Sequence, residues 1–152
     1  MSVFLNYNEY RLITRLKKEE GFSEISYWDN KQYTWGYGTK APGKNCHISL
    51  DTAEIELIKY INLAKNDMAR IFGDLVITFS PARTESLIDM RFNLGYSGFR
   101  GFKNMIKAIR NDNWLLASYE ASDSRWFKEK QVSHKRLMRI IIELASGRSF
   151  MI

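Results

Sequence analysis

Three side chains capable of acid–base chemistry fall in one short stretch: Glu20, then Asp29 nine positions on, then the Thr34 hydroxyl five positions further. Between Glu20 and Thr39 stand the aromatic residues Phe22, Tyr27, Trp28, Tyr33, Trp35 and Tyr37. Acid–base cleavage asks for one group that gives a proton and one that holds or accepts a proton, each at the right pKa. Carboxyls set among stacking rings suit a site that cuts or grips a sugar polymer.

The elements that must position these groups follow from local pattern. Asn6 to Glu20 reads as a helix, with Tyr10, Ile13 and Leu16 on one face beside Leu12, and Arg11, Arg15, Lys17 and Lys18 elsewhere. Asn6 or Asn8 caps its start, and Gly21 is a natural residue just past its end. Glu20 then sits at the negative end of the helix dipole, which disfavours an ionised carboxylate. A neighbouring wall of Phe22 and Trp28 would disfavour it further by desolvation. Both effects favour a carboxyl that keeps its proton near neutrality, although a solvated glutamate at a helix end fits the same spacing.

Ser26 to Gly38 reads as a hairpin of strand-favouring residues turning at Asp29-Asn30-Lys31-Gln32. That turn brings Thr34 back toward Asp29, so that a carboxylate and a hydroxyl hold one water between them. An aspartate that starts the turn and a threonine chosen for strand propensity are equally compatible with it.

The remaining elements are helical. Ser49 caps a helix running to Phe72, whose stripe Leu57, Ile61, Ala64, Met68 and Ile71 is flanked by Ile58; a linker between lobes and a plain core helix both fit its length. Ser80-Pro81 starts another helix, which reaches a stop at Gly95. Short helices follow, punctuated by Gly98, Gly101 and Asn111-Asp112-Asn113, and a last one runs from about Ser133 to Ser146 and stops at Gly147. The fold class is α+β and mostly helical.

Composition narrows the function classes. The 152 residues fit one domain, or one domain in two lobes, and the single cysteine, Cys46, cannot close an internal disulfide. Two histidines and one cysteine match no zinc pattern, so neither metal nor cofactor is expected. The start, Met-Ser-Val-Phe-Leu-Asn-Tyr, lacks a signal peptide, and no stretch is long and apolar enough to span a membrane. The expectation is synthesis in a cytoplasm. A net charge of +6 suits a polyanionic partner and equally serves solubility.

Three ordered stretches resemble the phage-type lysozymes, a family of glycoside hydrolases. The first is Glu20-Gly21, Asp29, then Thr34-Trp35-Gly36-Tyr37-Gly38. The second is Arg91-Phe92-Asn93-Leu94-Gly95, then Gly98 and Gly101-Phe102-Lys103-Asn104. The third is Ser124-Arg125-Trp126-Phe127, with Arg136 in the final helix. The resemblance implies a two-lobed fold with a cleft: about residues 15–60 as a small β-containing lobe, a long connecting helix, and about residues 61–152 with the N-terminal helix as a helical lobe. It implies hydrolysis of the β-1,4 bond between N-acetylmuramic acid and N-acetylglucosamine in peptidoglycan, causing host cell lysis. Glu20 becomes the general acid, with Asp29 and Thr34 placing the attacking water; Gly38, Phe92, Asn93 and Arg125 match residues that line or support the cleft. Trp126 and Arg136 match structural positions. The enzyme would invert configuration, act as a monomer, take no nucleic acid, and reach the wall through a membrane lesion made by a holin-like partner.

The chain departs from the family pattern in three places. Four residues separate Asp29 from Thr34, one fewer than in the family; Thr39 stands where a histidine is common, and Asn93 where a glutamine is frequent. Other classes make different demands. A non-catalytic wall-binding protein would keep the rings without needing Glu20, Asp29 and Thr34 together, and a tail-associated wall-degrading enzyme would share the same site. A basic nucleic-acid-binding domain leaves that trio unexplained. A membrane-disrupting final helix would need Arg136, Arg139 and Arg148 facing lipid.

Overall fold

The structure, a computed structural model, describes residues 5–129 and 132–150. The fold is α+β and mostly helical, 66% helix, with a three-stranded antiparallel sheet among the described residues. The order is α1 (Glu9–Glu20), β1 (Ser23–Trp28), β2 (Tyr33–Gly36), β3 (Thr39–Lys40), α2 (Leu50–Phe72), a 3-10 turn (Gly73–Thr78), α3 (Pro81–Arg100), α4 (Lys103–Arg110), α5 (Trp114–Ser122), α6 (Arg125–Lys128) and α7 (His134–Ser146). The chain forms two compact units, Glu9–Leu63 and Met1–Asn8 with Ala64–Ile152, and α2 contributes to both.

In the first unit, α1 begins at Glu9, later than Asn6; the Asn8 N–H just before it donates to Glu85 Oε2 at 3.1 Å. Its buried face is Leu12, Arg15 and Leu16. Tyr10, expected on that face, is 81% exposed, and Arg15, expected off it, buries its long stem instead. Gly21 ends the helix as expected: at φ +65° it donates its N–H to the Lys17 carbonyl at 2.9 Å.

The sheet order is β1-β2-β3. Strand β1 starts earlier than Ser26, pairing Ser23 with Gly36, Tyr27 with Thr34 and Trp28 with Tyr33, with an irregularity between Ser23 and Tyr27. Strand β3 was not foreseen: its two residues are too few to show a period, yet Thr39 is fully buried opposite Trp35. The Thr52 N–H donates to Ser49 Oγ at 3.2 Å, the cap expected for α2. In α2 the stripe Leu57, Ile61, Ala64, Met68 and Ile71 is buried along its length.

The second unit is a helical core. Ser80 caps α3 by accepting from the Arg83 N–H, with Pro81 in the first turn. Gly95, at φ +75° and ψ 173°, breaks the helical path where a stop was expected, but the chain re-enters helix and continues to Arg100. Leu87, Ile88 and Met90 of α3 and Leu137, Ile140 and Leu144 of α7 are fully buried. Two oriented polar contacts join these helices: Arg136 donates to Asp89 Oδ1 from Nη2 at 2.7 Å and Nε at 2.9 Å, and Ser86 Oγ donates to Glu143 Oε1 at 2.8 Å. Arg136 and Arg139 are both buried, which counts against the membrane-disrupting reading of α7, while Arg148 is exposed. Among the described residues no helix is long and apolar enough to cross a membrane.

Candidate active site

Glu20, Asp29, Thr34 and Gly38 all belong to the unit Glu9–Leu63. Glu20 is the last residue of α1, delivered there by the Gly21 stop. Its carboxyl lies against the backbone of Gly38, so closely that a Cβ built on Gly38 would stand 2.6 Å from Glu20 Oε2. Gly38 also has φ +84°. Glycine is therefore required twice over, by backbone angle and by the acid beside it.

Asp29 sits at the β1–β2 turn. Its Oδ1 accepts from the Lys31 N–H at 3.0 Å and the Gln32 N–H at 2.9 Å, while its own N–H donates to the Gln32 carbonyl at 3.0 Å. This is the turn-starting role of aspartate. The other oxygen, Oδ2, accepts from the Thr34 hydroxyl at 2.6 Å. Carboxylate and hydroxyl are bonded directly: a five-position spacing across a four-residue turn brings the two side chains into contact. The turn-starting reading of Asp29 is met by one oxygen, and the other holds the Thr34 hydroxyl.

The electrostatics follow from these contacts. Partial burial pushes the Asp29 carboxyl up, but the Thr34 hydroxyl, the N–H groups of Gln32 and Lys31 and the Lys31 charge together outweigh it. The result is a carboxyl held below its ordinary value. Tyr27 moves the other way: burial first, then the negative charges of Glu20 and Asp29, keep its phenol protonated above the ordinary tyrosine value. Lys17, one turn before Glu20, gives its charge to Glu54 at 2.8 Å and lies 5.4 Å from the Tyr37 ring centre.

The aromatic residues do not form the single wall expected of Phe22 and Trp28. Phe22 pairs with Tyr37 at 5.5 Å between ring centres, and Trp28 pairs edge-on with Tyr33 at 5.3 Å. Both remain exposed. Trp28 and Tyr33 are direct cross-strand partners, whereas Phe22 and Tyr37 lie just outside the two strands.

Phe92, Asn93 and Arg125 belong to the other unit. Asn93 Oδ1 accepts from the buried Trp126 indole at 2.9 Å, a link between two motifs that sequence spacing did not show. Arg125 is exposed and paired with Glu129 at 3.0 Å, one helical turn on. Arg136, expected to be structural, is the buried partner of Asp89. In that unit Gly101, Phe102, Lys103 and Asn104 of the second motif help line a hollow of about 560 Å³ with Glu120, Asp123 and Ser124. Among the described residues no group of three or more His, Cys, Asp or Glu side chains could hold a metal ion. No model of a known protein family matches the chain.

Proposed function

We propose that this protein is a glycoside hydrolase of the phage-type lysozyme kind, which cuts the glycan of peptidoglycan at the β-1,4 bond after N-acetylmuramic acid. The observation that carries the reading is the division of labour between two carboxyls of one unit. Asp29 is held ionised by four stabilising interactions, and Glu20 ends a helix against a glycine. A carboxylate and a separately placed acid are the two groups that glycoside cleavage needs.

In this mechanism Glu20 delivers its proton to the glycosidic oxygen as the bond to the anomeric carbon breaks. A water held on Asp29 attacks that carbon from the opposite side and passes a proton to the carboxylate. Thr34, only 2% exposed, has its proton committed to Asp29 Oδ2. It therefore acts by orienting the carboxylate. Glu20 packs on Gly38, just past β2, while Asp29 is tied to Thr34 near its start. The reading takes inversion as the outcome, in which a water stands between sugar and carboxylate, whereas covalent attack needs the carboxyls about 5 Å apart.

The test is turbidity loss of purified peptidoglycan by wild type and Glu20→Gln side by side. Clearing by wild type alone is the expected result, with new reducing ends of muramic acid in the products. Equal clearing by both proteins would move the chemistry away from Glu20. No clearing by either, with both sedimenting on the wall, would leave a binding protein.

A further inference from the structure

We infer that Tyr27 holds the sugar between the two carboxyls, its phenol donating a hydrogen bond to the glycan from the sheet face that carries Asp29 and Thr34. The inference rests on the hydrolase reading and names a residue that the sequence motifs do not mark.

Tyr27 pairs directly with Thr34 across β1 and β2. Residues opposite each other in an antiparallel pair project from the same face with their Cβ atoms about 5 Å apart. Thr34 on that face donates to Asp29 Oδ2 at 2.6 Å, so Tyr27, Thr34 and Asp29 form one cluster. Exposure orders them in depth: Thr34 is 2% exposed and Tyr27 45%. Thr34 lies beneath, and the tyrosine is the member that meets a ligand.

The charges of Glu20 and Asp29 both reach the phenol and both favour its neutral form. A neutral phenol is an O–H donor throughout the pH range in which a carboxyl pair works. Its neighbours differ from it: an ionised Asp29 only accepts, and the Thr34 proton is already given to Asp29. A glycan strand, rich in hydroxyl and amide oxygens, finds in Tyr27 an exposed donor within electrostatic reach of both carboxyls.

The experiment uses Tyr27→Phe, which keeps the ring and removes the O–H. Binding is measured by tryptophan fluorescence with solubilised, uncross-linked glycan strands, in the Glu20→Gln background. Turnover is measured in the active background, and Tyr10→Phe, on the exposed side of α1, serves as the control. Tyr27→Phe is expected to weaken binding three- to tenfold and to raise KM by the same factor, with kcat within twofold and its pH profile superimposed on wild type. Unchanged binding and KM would overturn the inference. So would a displaced limb in the kcat profile, which would make Tyr27 a tuner of the carboxyls instead of a grip on the sugar. A wild type that neither binds nor clears peptidoglycan would bring down the hydrolase reading, and this inference with it. An active wild type with an indistinguishable Tyr27→Phe would bring down this inference alone.

Discussion

Asp29 gives one carboxylate oxygen to its turn and the other to Thr34. Its folded pKa is lowered, so the stability it contributes is fully present above the unfolded value and is lost as pH falls through the folded one. Thr34→Val removes the hydroxyl donor and lets the folded value rise. The variant should lose up to about 1 kcal/mol at pH 7, toward the low side of a single hydrogen bond because Asp29 is exposed. The difference should shrink in acid, where Asp29 is protonated in both proteins, and urea unfolding at the two pH values checks it. In the proposed mechanism the acid limb of activity moves to higher pH as well. Asp29→Asn separates the two roles: the amide oxygen still accepts from Lys31 and Gln32, but no negative charge remains. It should unfold within about 1 kcal/mol of wild type, while clearing falls by roughly 10²-fold or more. A large loss of stability would show that the charge itself holds the turn.

At the level of elements, what was legible in the sequence was punctuation. Ser49 and Ser80 cap the helices they were expected to cap, Ser133 caps the helix expected to start near it, and Gly21 and Gly147 end theirs in the left-handed region. These signals are local, because each depends on one side chain or one backbone angle. Facing was less legible. Tyr10 and Arg15 exchanged expected roles on α1, since burial is decided by what packs across from a helix and not by its own period. The site shows the same division: the Glu20 and Asp29 positions were readable from a stop and a turn, whereas the contact of Gly38 with Glu20 and of Tyr27 with Thr34 needed strand register. Gly147 makes the point quantitatively. At φ +71° a Cβ there would be 3.0 Å from the Arg83 guanidinium, which caps α7 by donating to the Leu144 and Ala145 carbonyls. Gly147→Ala combines left-handed strain of about 1–2 kcal/mol with displacement of that cap. A loss of roughly 2–3 kcal/mol is expected in urea unfolding; a loss of only about 1–2 kcal/mol would mean that Arg83 has another seat of equal energy, and one below about 0.5 kcal/mol that the backbone there also relaxes out of the left-handed region.

At the scale of the whole molecule, the buried Asp89–Arg136 pair is costly to disturb. Its side chains are 0% and 4% exposed, so removing one partner strands the other charge away from water. Asp89→Ala should cost about 3–5 kcal/mol, and the change in denaturation midpoint measures it; a cost under about 1 kcal/mol would show that water reaches Arg136 once Asp89 is gone. The net charge of +6 acts at the same scale: if the proposed activity holds, it favours encounter with an anionic envelope, and salt should weaken that encounter. The division into units has one more consequence, in time. The unit Glu9–Leu63 is a continuous piece of chain, whereas the other joins Met1–Asn8 to Ala64–Ile152. Leu5 is buried and the Asn8 N–H is bound to Glu85, so the segment just before α1 belongs to the unit that also holds α7. During synthesis, at some 5–20 residues per second, the stretch holding Glu20, Asp29 and Thr34 can fold as soon as it emerges. The unit that began before it must wait for the last helix to be made.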